Sequence, residues 1–488
     1  MMNGLNWCAR GCALFLMCAA IPHAGRAQTF TTLLNFDGTN GEGPCSVSLV
    51  QGTDGNLYGT TCKGYGTVFK MTPTGILTTL HSFAGYPTDG ASPFAGLVLG
   101  TDGSFYGTTA EGGANDCGTV FRITSAGTLT TLHSFDGTDG AAPLAALVQA
   151  ADGDFYGTTE LGGAGDCIND VNGLLGCGTV FKITSDGTLT TLHSFDLTDG
   201  EYPYAALIQA TDGNFYGTTA AGASSACETV GFAGCGTVFK IASDGTLTTL
   251  HSFDGSDGFQ PLAALIQATD GSFYGTTFLS PASTACLVRC GTIFKITSGG
   301  ALTTLHSFDL ADGAGPDGAL IEAADGNFYG TTFEGGASSS CFRGCGTVFQ
   351  VTPAGVLTTL HSLEGTDGAN PFGGLVQGTN GRLYGTTSGG GASDSCSFGC
   401  GTVFSLDVGL GPFVETVPTS GNVGQRVLIL GTNLTGATRV TFNGAPTLFG
   451  VLSPSLIKAV VPAAATTGTV RVTTPSGTLS SNVPFTIR

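Results

Sequence analysis

Residues 155–159 read FYGTT, residues 178–184 read GTVFKIT and residues 187–195 read GTLTTLHSF. With the preceding run PLAALVQA (143–150), they make four strand-length segments separated by Gly-containing turns. Asp152-Gly153 between two such segments is a hairpin signal, because Gly accepts positive φ. The Tyr-Gly-Thr-Thr phrase occurs seven times, at Tyr58, Tyr106, Tyr156, Tyr216, Tyr274, Tyr329 and Tyr384, spaced 48 to 60 residues apart. No helical periodicity follows residue 27. Four strands per unit, repeated seven times, predict an all-β, seven-bladed β-propeller with 143–150 innermost and 187–195 outermost in its blade.

The ends of the array decide against an open solenoid. The seventh repeat stops after GTVFSLDV at Val408 and lacks its fourth strand. An unattached copy of that strand, TFTTLLNF, stands at 29–36. Lending it to the last blade closes the ring and removes an exposed sheet edge. The short turns then share one face of the disc. The other face gathers the FDGTDG-type loops and the loops between YGTT and GTVF, which hold 4, 8, 18, 16, 13, 13 and 13 residues in chain order. Variable loops on a rigid scaffold are the usual place for binding.

Domain organisation follows from changes of texture. Arg10 and an apolar run too short to span a bilayer, closed by Gly25 and Ala27, predict a secretory signal peptide over 1–27. The propeller is expected over 28–408. Residues 411–488 lack Cys and His and alternate Val, Thr and Gly, as in a small β-sandwich. Export, then release or non-covalent retention, is expected, with no membrane insertion. The 488-residue chain carries a net charge of −19 with only 16 Lys and Arg, which argues against nucleic acid and anionic membranes.

Thirteen cysteines follow the leader. Ten fall in close pairs, each ending directly before a GT[VI]F phrase: Cys167/Cys177, Cys227/Cys235, Cys286/Cys290, Cys341/Cys345 and Cys396/Cys400. Export permits disulfides, and five loop staples are expected. Cys45 and Cys62 form a candidate sixth pair, which leaves Cys117 as an inert thiol. Zinc is disfavoured, because the pairs lie a repeat apart and their loops lack His.

Six histidines, His81, His133, His193, His251, His306 and His361, recur at one place in the repeat, with Asn35 assigned the seventh place. A residue repeated around a ring suits architecture, so each His is expected to bond a Ser, Thr or Tyr. The repeated tyrosines are read as blade packing. Asp136, Asp139, Asp254 and Asp257 recur on the variable-loop face and are candidate calcium ligands, though Asp-Gly is also simply a turn former. No other cofactor is expected. No G-x-S-x-G elbow, Walker loop or H-E-x-x-H motif is present. The insertions at 160–177 and 220–235 break the symmetry, and their Asp166, Asp170 and Glu228 are the candidate ligand-binding residues.

The recurring DGxFYGTT, GTVFKIT and GTLTTLHSF phrases resemble the Gloeo/Verruco-type (GloVer) repeats of bacterial exported proteins. The tail is similar to an IPT/TIG domain, an immunoglobulin-like module, through Pro418-Thr-Ser-Gly421, Ile429-Leu-Gly-Thr-Asn-Leu434, Val440-Thr-Phe-Asn-Gly444, Thr467-Gly-Thr-Val-Arg-Val472 and Thr474-Pro-Ser-Gly477. These resemblances imply location and architecture more than activity. The expected function is non-enzymatic: binding or scaffolding of a glycan, protein or cell-surface component through the variable-loop face. A secreted polysaccharide hydrolase or lyase on that face, or a matrix component, is the alternative.

Overall fold

The computed structural model describes residues 28–45, 48–165, 176–223, 227, 234–280 and 290–488. The repeats form seven four-stranded antiparallel sheets, each one blade. Blade 3 runs from inner to outer edge as Val148–Gln149, Phe155–Thr159, Thr179–Ile183 and Leu189–Ser194. Blade 7 takes its outer strand from the other end of the repeat array: Thr29–Asn35 pairs with Thr402–Asp407. The ring is therefore closed as expected.

The inner strands are shorter than the sequence suggests. Of the run 143–150, only Val148–Gln149 joins the ladder. Just before it, the Ala145 carbonyl accepts a hydrogen bond from the Thr108 hydroxyl of the preceding blade, so the backbone there serves the blade interface instead. The Gln ending the inner strand makes a second clamp. Gln149 Oε1 accepts from Thr101 N in blade 2, Gln209 from Ala151 N in blade 3, and Gln51 from Thr379 N across the closure. Burial of apolar side chains supplies the main driving force. Tyr58, Tyr106, Tyr156 and Tyr216 each stack on the Phe of the next blade, with ring centroids 3.9 to 4.1 Å apart. Each hydroxyl donates to the Asp of its own Asp-Gly turn, as Tyr156 does to Asp152 at 2.8 Å. Aromatic mass and polar handle are both satisfied inside the wall.

The tail is a two-sheet sandwich. One sheet holds Glu415–Val417, Arg426–Leu430, Leu456–Val460 and Phe449–Ser453; the other holds Arg439–Phe442, Ala445–Pro446, Val470–Thr474 and Gly477–Ser480. Val427, Ile429, Val440, Phe442, Ile457, Val470, Val472 and Phe485 form its core. The sandwich packs on the short-turn face of the propeller. Ser455 Oγ donates to Thr53 O at 2.8 Å, Phe413 N donates to Thr379 O, and Leu430 joins the core shared by blades 1 and 2.

Disulfides join Cys45–Cys62, Cys227–Cys235, Cys341–Cys345 and Cys396–Cys400, with Cα atoms 5.1 to 5.8 Å apart. The expected staples Cys167–Cys177 and Cys286–Cys290 are not among these four, because Cys167 and Cys286 lie outside the described residues. Cys177 and Cys290 are themselves buried and disulfide-bonded, each directly before its GT[VI]F strand. The disulfides fit an extracellular protein. Among the described residues, no helix is long and apolar enough to cross a membrane.

Candidate functional site

The repeated polar residues turn out to build the loops. In all six repeats that carry it, the His Nε2 meets the Asp that closes the following loop, directly before its Gly, not the Ser, Thr or Tyr expected from sequence. His133 meets Asp139 at 2.7 Å, His193 meets Asp199 at 2.8 Å and His251 meets Asp257 at 2.6 Å. The reason is the loop's return path: six residues after the His, or eight in blade 1, the chain passes back over the outer strand. The assignment of Asn35 to the His place is also corrected. Strand register puts Leu34 opposite Val403, where His193 lies opposite Val180, while Asn35 takes the place of Ser194. In that loop the paired Asp is likewise replaced, by Asn40, which accepts from Asp37 N.

Asp136 and Asp139 share one of these turns, and Asp254 and Asp257 share another. Asp136 Oδ1 accepts from Thr138 N and Oγ1, and Asp254 Oδ1 accepts from Ser256 N and Oγ. The Thr138 and Ser256 hydroxyls lead in holding both carboxyls below the usual range. Among the described residues, no three His, Cys, Asp or Glu side chains are grouped to hold a metal ion. Asp166, Asp170 and Glu228 lie outside the described residues. Cys117 is buried without a disulfide partner, and burial, with the charge of Asp116 next, pushes its thiol upward. That suits an inert cysteine.

What sequence reading missed is the mouth of the central channel. Each inner run begins with Pro, and the next residue differs from blade to blade: Phe94, Leu144, Tyr204, Leu262, Asp317 and Phe372 in blades 2 to 7. All six line one cavity of about 660 Å³ on the variable-loop face. The residue after YGTT completes it, being Glu160 in blade 3 where blade 2 has Ala110. Tyr204 donates its hydroxyl to Glu160 Oε1 at 2.8 Å. Burial raises the Glu160 carboxyl, and the Tyr204 bond opposes that shift. Burial raises Asp317 to about 7. Glu160, Asp317 and Tyr204 therefore share a cavity with Phe94 and Phe372, and Glu111 and Asp116 also line it. The variation after Pro was the available signal, but aliphatic and aromatic exchanges at an apolar position look like ordinary core drift.

The sandwich stands at the other end of the channel. The inner-strand residues Gln209, Gln267, Glu322 and Gln377 and the sandwich residues Glu415 and Arg488 enclose a second cavity of about 650 Å³.

The fold is similar to that of a fungal alcohol oxidase of the AA5 family in complex with copper, at 13% identity and a TM-score of 0.54, covering 94% of this chain and 100% of that one. A luciferin-regenerating enzyme aligns at 12% identity and a TM-score of 0.40, covering 78% and 97%. A Bacteroides thetaiotaomicron protein of unknown function aligns at 12% and 0.42, covering 78% and 76%. At such identities the likeness is of fold alone. No curated protein matches the chain. The IPT/TIG domain model matches residues 413–487. The Gloeobacter/Verrucomicrobia repeat model matches residues 23–230 and 225–440, and the chain belongs to that repeat family.

Proposed function

We propose that this is an exported binding protein that holds a glycan at the channel mouth. The observation that carries this reading is the gathering of Glu160, Tyr204, Asp317, Phe94 and Phe372 in one cavity on the variable-loop face. The strands keep their residues nearly uniform from repeat to repeat, so departures at the start of the inner run that converge on one cavity support a ligand there. Carboxyls and a tyrosine offer hydroxyl partners, and the phenylalanines offer apolar faces. A second reading is a polysaccharide-cleaving enzyme. It is favoured by the same two carboxyls, because glycoside hydrolysis uses a pair in unlike environments.

The test is titration of the secreted chain with neutral oligosaccharides, with released sugars assayed alongside. Tyr204→Phe and Asp317→Asn are expected to weaken binding about tenfold, on the order of 1.4 kcal/mol, without product release. Released product abolished by Asp317→Asn would establish the enzyme reading instead. A chelator arm tests the calcium expectation for the loops. The pH dependence has a definite sign. Asp317 loses its proton near pH 7 in the folded chain and near pH 4 when unfolded. Its burial therefore costs stability increasingly as pH rises from about 4 to 7. Asp317→Asn should raise the melting temperature at pH 8 more than at pH 4.

A further inference from the structure

Five Tyr or Phe side chains are exposed among the described residues: Tyr65, Tyr86, Tyr204, Phe342 and Phe398. All five stand on the variable-loop face. Tyr204 belongs to the mouth cavity; the other four do not line it. Phe342 and Phe398 are 90% and 86% exposed. Each lies inside a five-residue loop closed by a disulfide, Cys341–Cys345 in blade 6 and Cys396–Cys400 in blade 7. Tyr65 follows the Cys45–Cys62 staple in blade 1 and leans over Gly85, whose missing Cβ would lie 2.8 Å from its ring. Tyr86 comes next in the chain.

Blades 6, 7 and 1 are neighbours in the ring. Blade 6 shares a core with blade 7 through Tyr329, Val348 and Leu383, and blade 7 shares one with blade 1 through Tyr384, Leu49 and Phe69. Four rings thus stand on an arc of three consecutive blades. Phe342 and Phe398 are held out to solvent by cross-linked loops. Rings fixed before binding lose little conformational freedom when covered.

The chemistry selects the partner. The rings sit singly on separate loops, among Ser338, Ser340, Ser393, Ser395 and Ser397, and do not form the continuous apolar patch that a protein partner covers. A net charge of −19 disfavours polyanions. A neutral polysaccharide matches both features, because its pyranose rings present apolar C–H faces at intervals with hydroxyls at their edges. We propose that blades 6, 7 and 1 form a stacking platform for a neutral polysaccharide chain, distinct from the mouth cavity. This rests on the glycan-binding reading above.

The experiment measures retention of the full secreted chain on insoluble cellulose, chitin and β-1,3-glucan. The Phe342→Ala/Phe398→Ala variant is expected to lose at least about tenfold in affinity, with an unchanged melting temperature because both rings are exposed. Phe342→Tyr/Phe398→Tyr should keep retention, and a reducing agent should weaken it. Tyr204→Phe/Asp317→Asn should lose short soluble oligosaccharides and keep the polymer. Unchanged retention of the double alanine variant overturns the platform. So does a wild-type chain that binds soluble oligosaccharides but no polymer, and in that case the mouth-cavity reading survives. A chain that binds neither overturns both.

Discussion

His193 and Asp199 show how one side-chain pair holds a loop. Asp199 Oδ2 meets the imidazole at 2.8 Å while Oδ1 accepts from Asp196 N, so one carboxylate ties the outer strand to the returning chain. In blade 6 the partner of His361, Asp367, is pushed up by burial, but the imidazole and the Glu364 N–H outweigh this and hold it below the usual range. Where the His is absent, as at Leu34, the paired Asp is absent too, replaced by Asn40. This predicts coupling. His193→Leu leaves half-buried Asp199 Oδ2 without its partner and should cost about 1–2 kcal/mol. Adding Asp199→Asn reproduces the first loop and should recover part of that loss. Melting temperatures of the two single variants and the double variant decide the point; strictly additive losses would sink it.

At the scale of the element, the strand Phe155–Thr159 carries the interior of blade 3. Gly157 lies where a Cβ would come within 2.7 Å of Phe181 and 2.8 Å of Leu147. The Gly of YGTT is therefore the seat for the Phe of GTVF. Gly157→Ala should cost about 1–3 kcal/mol by overpacking, read as a lower urea midpoint. The strands, the blade count and the ring closure were legible because each phrase repeats seven times around a fixed geometry. The His partner was not, because pairing six or eight residues ahead depends on a loop path that the residues alone do not state. The mouth was least legible. Glu160, Tyr204 and Asp317 lie 44 and 113 residues apart in sequence, and only the ring brings them together. The sequence-derived candidates Asp136 and Asp254 were noticed because they repeat, and repetition is what turn-forming residues do.

For the whole molecule, closure makes seven blades one cooperative unit. Every blade shares an apolar core with both neighbours, including blade 7 with blade 1 through Phe36, Tyr384 and Phe69. Deleting residues 29–36 would leave Thr402–Asp407 as an open edge and remove Phe36 from that core. We expect the truncated chain to aggregate or to melt well below the full chain, and a synthetic TFTTLLNF peptide to restore part of the loss. A truncation that melts like the full chain would mean that closure contributes little.

Closure also sets an order of events. Thr29–Asn35 is translated before any blade exists, yet its partner Thr402–Asp407 is made only after the seventh blade's other strands. The earliest strand must wait, unpaired, for the latest one. Blades can stack as they emerge, but the disc cannot lock until nearly all of its residues are present. Until the first strand docks, the seventh blade remains three-stranded.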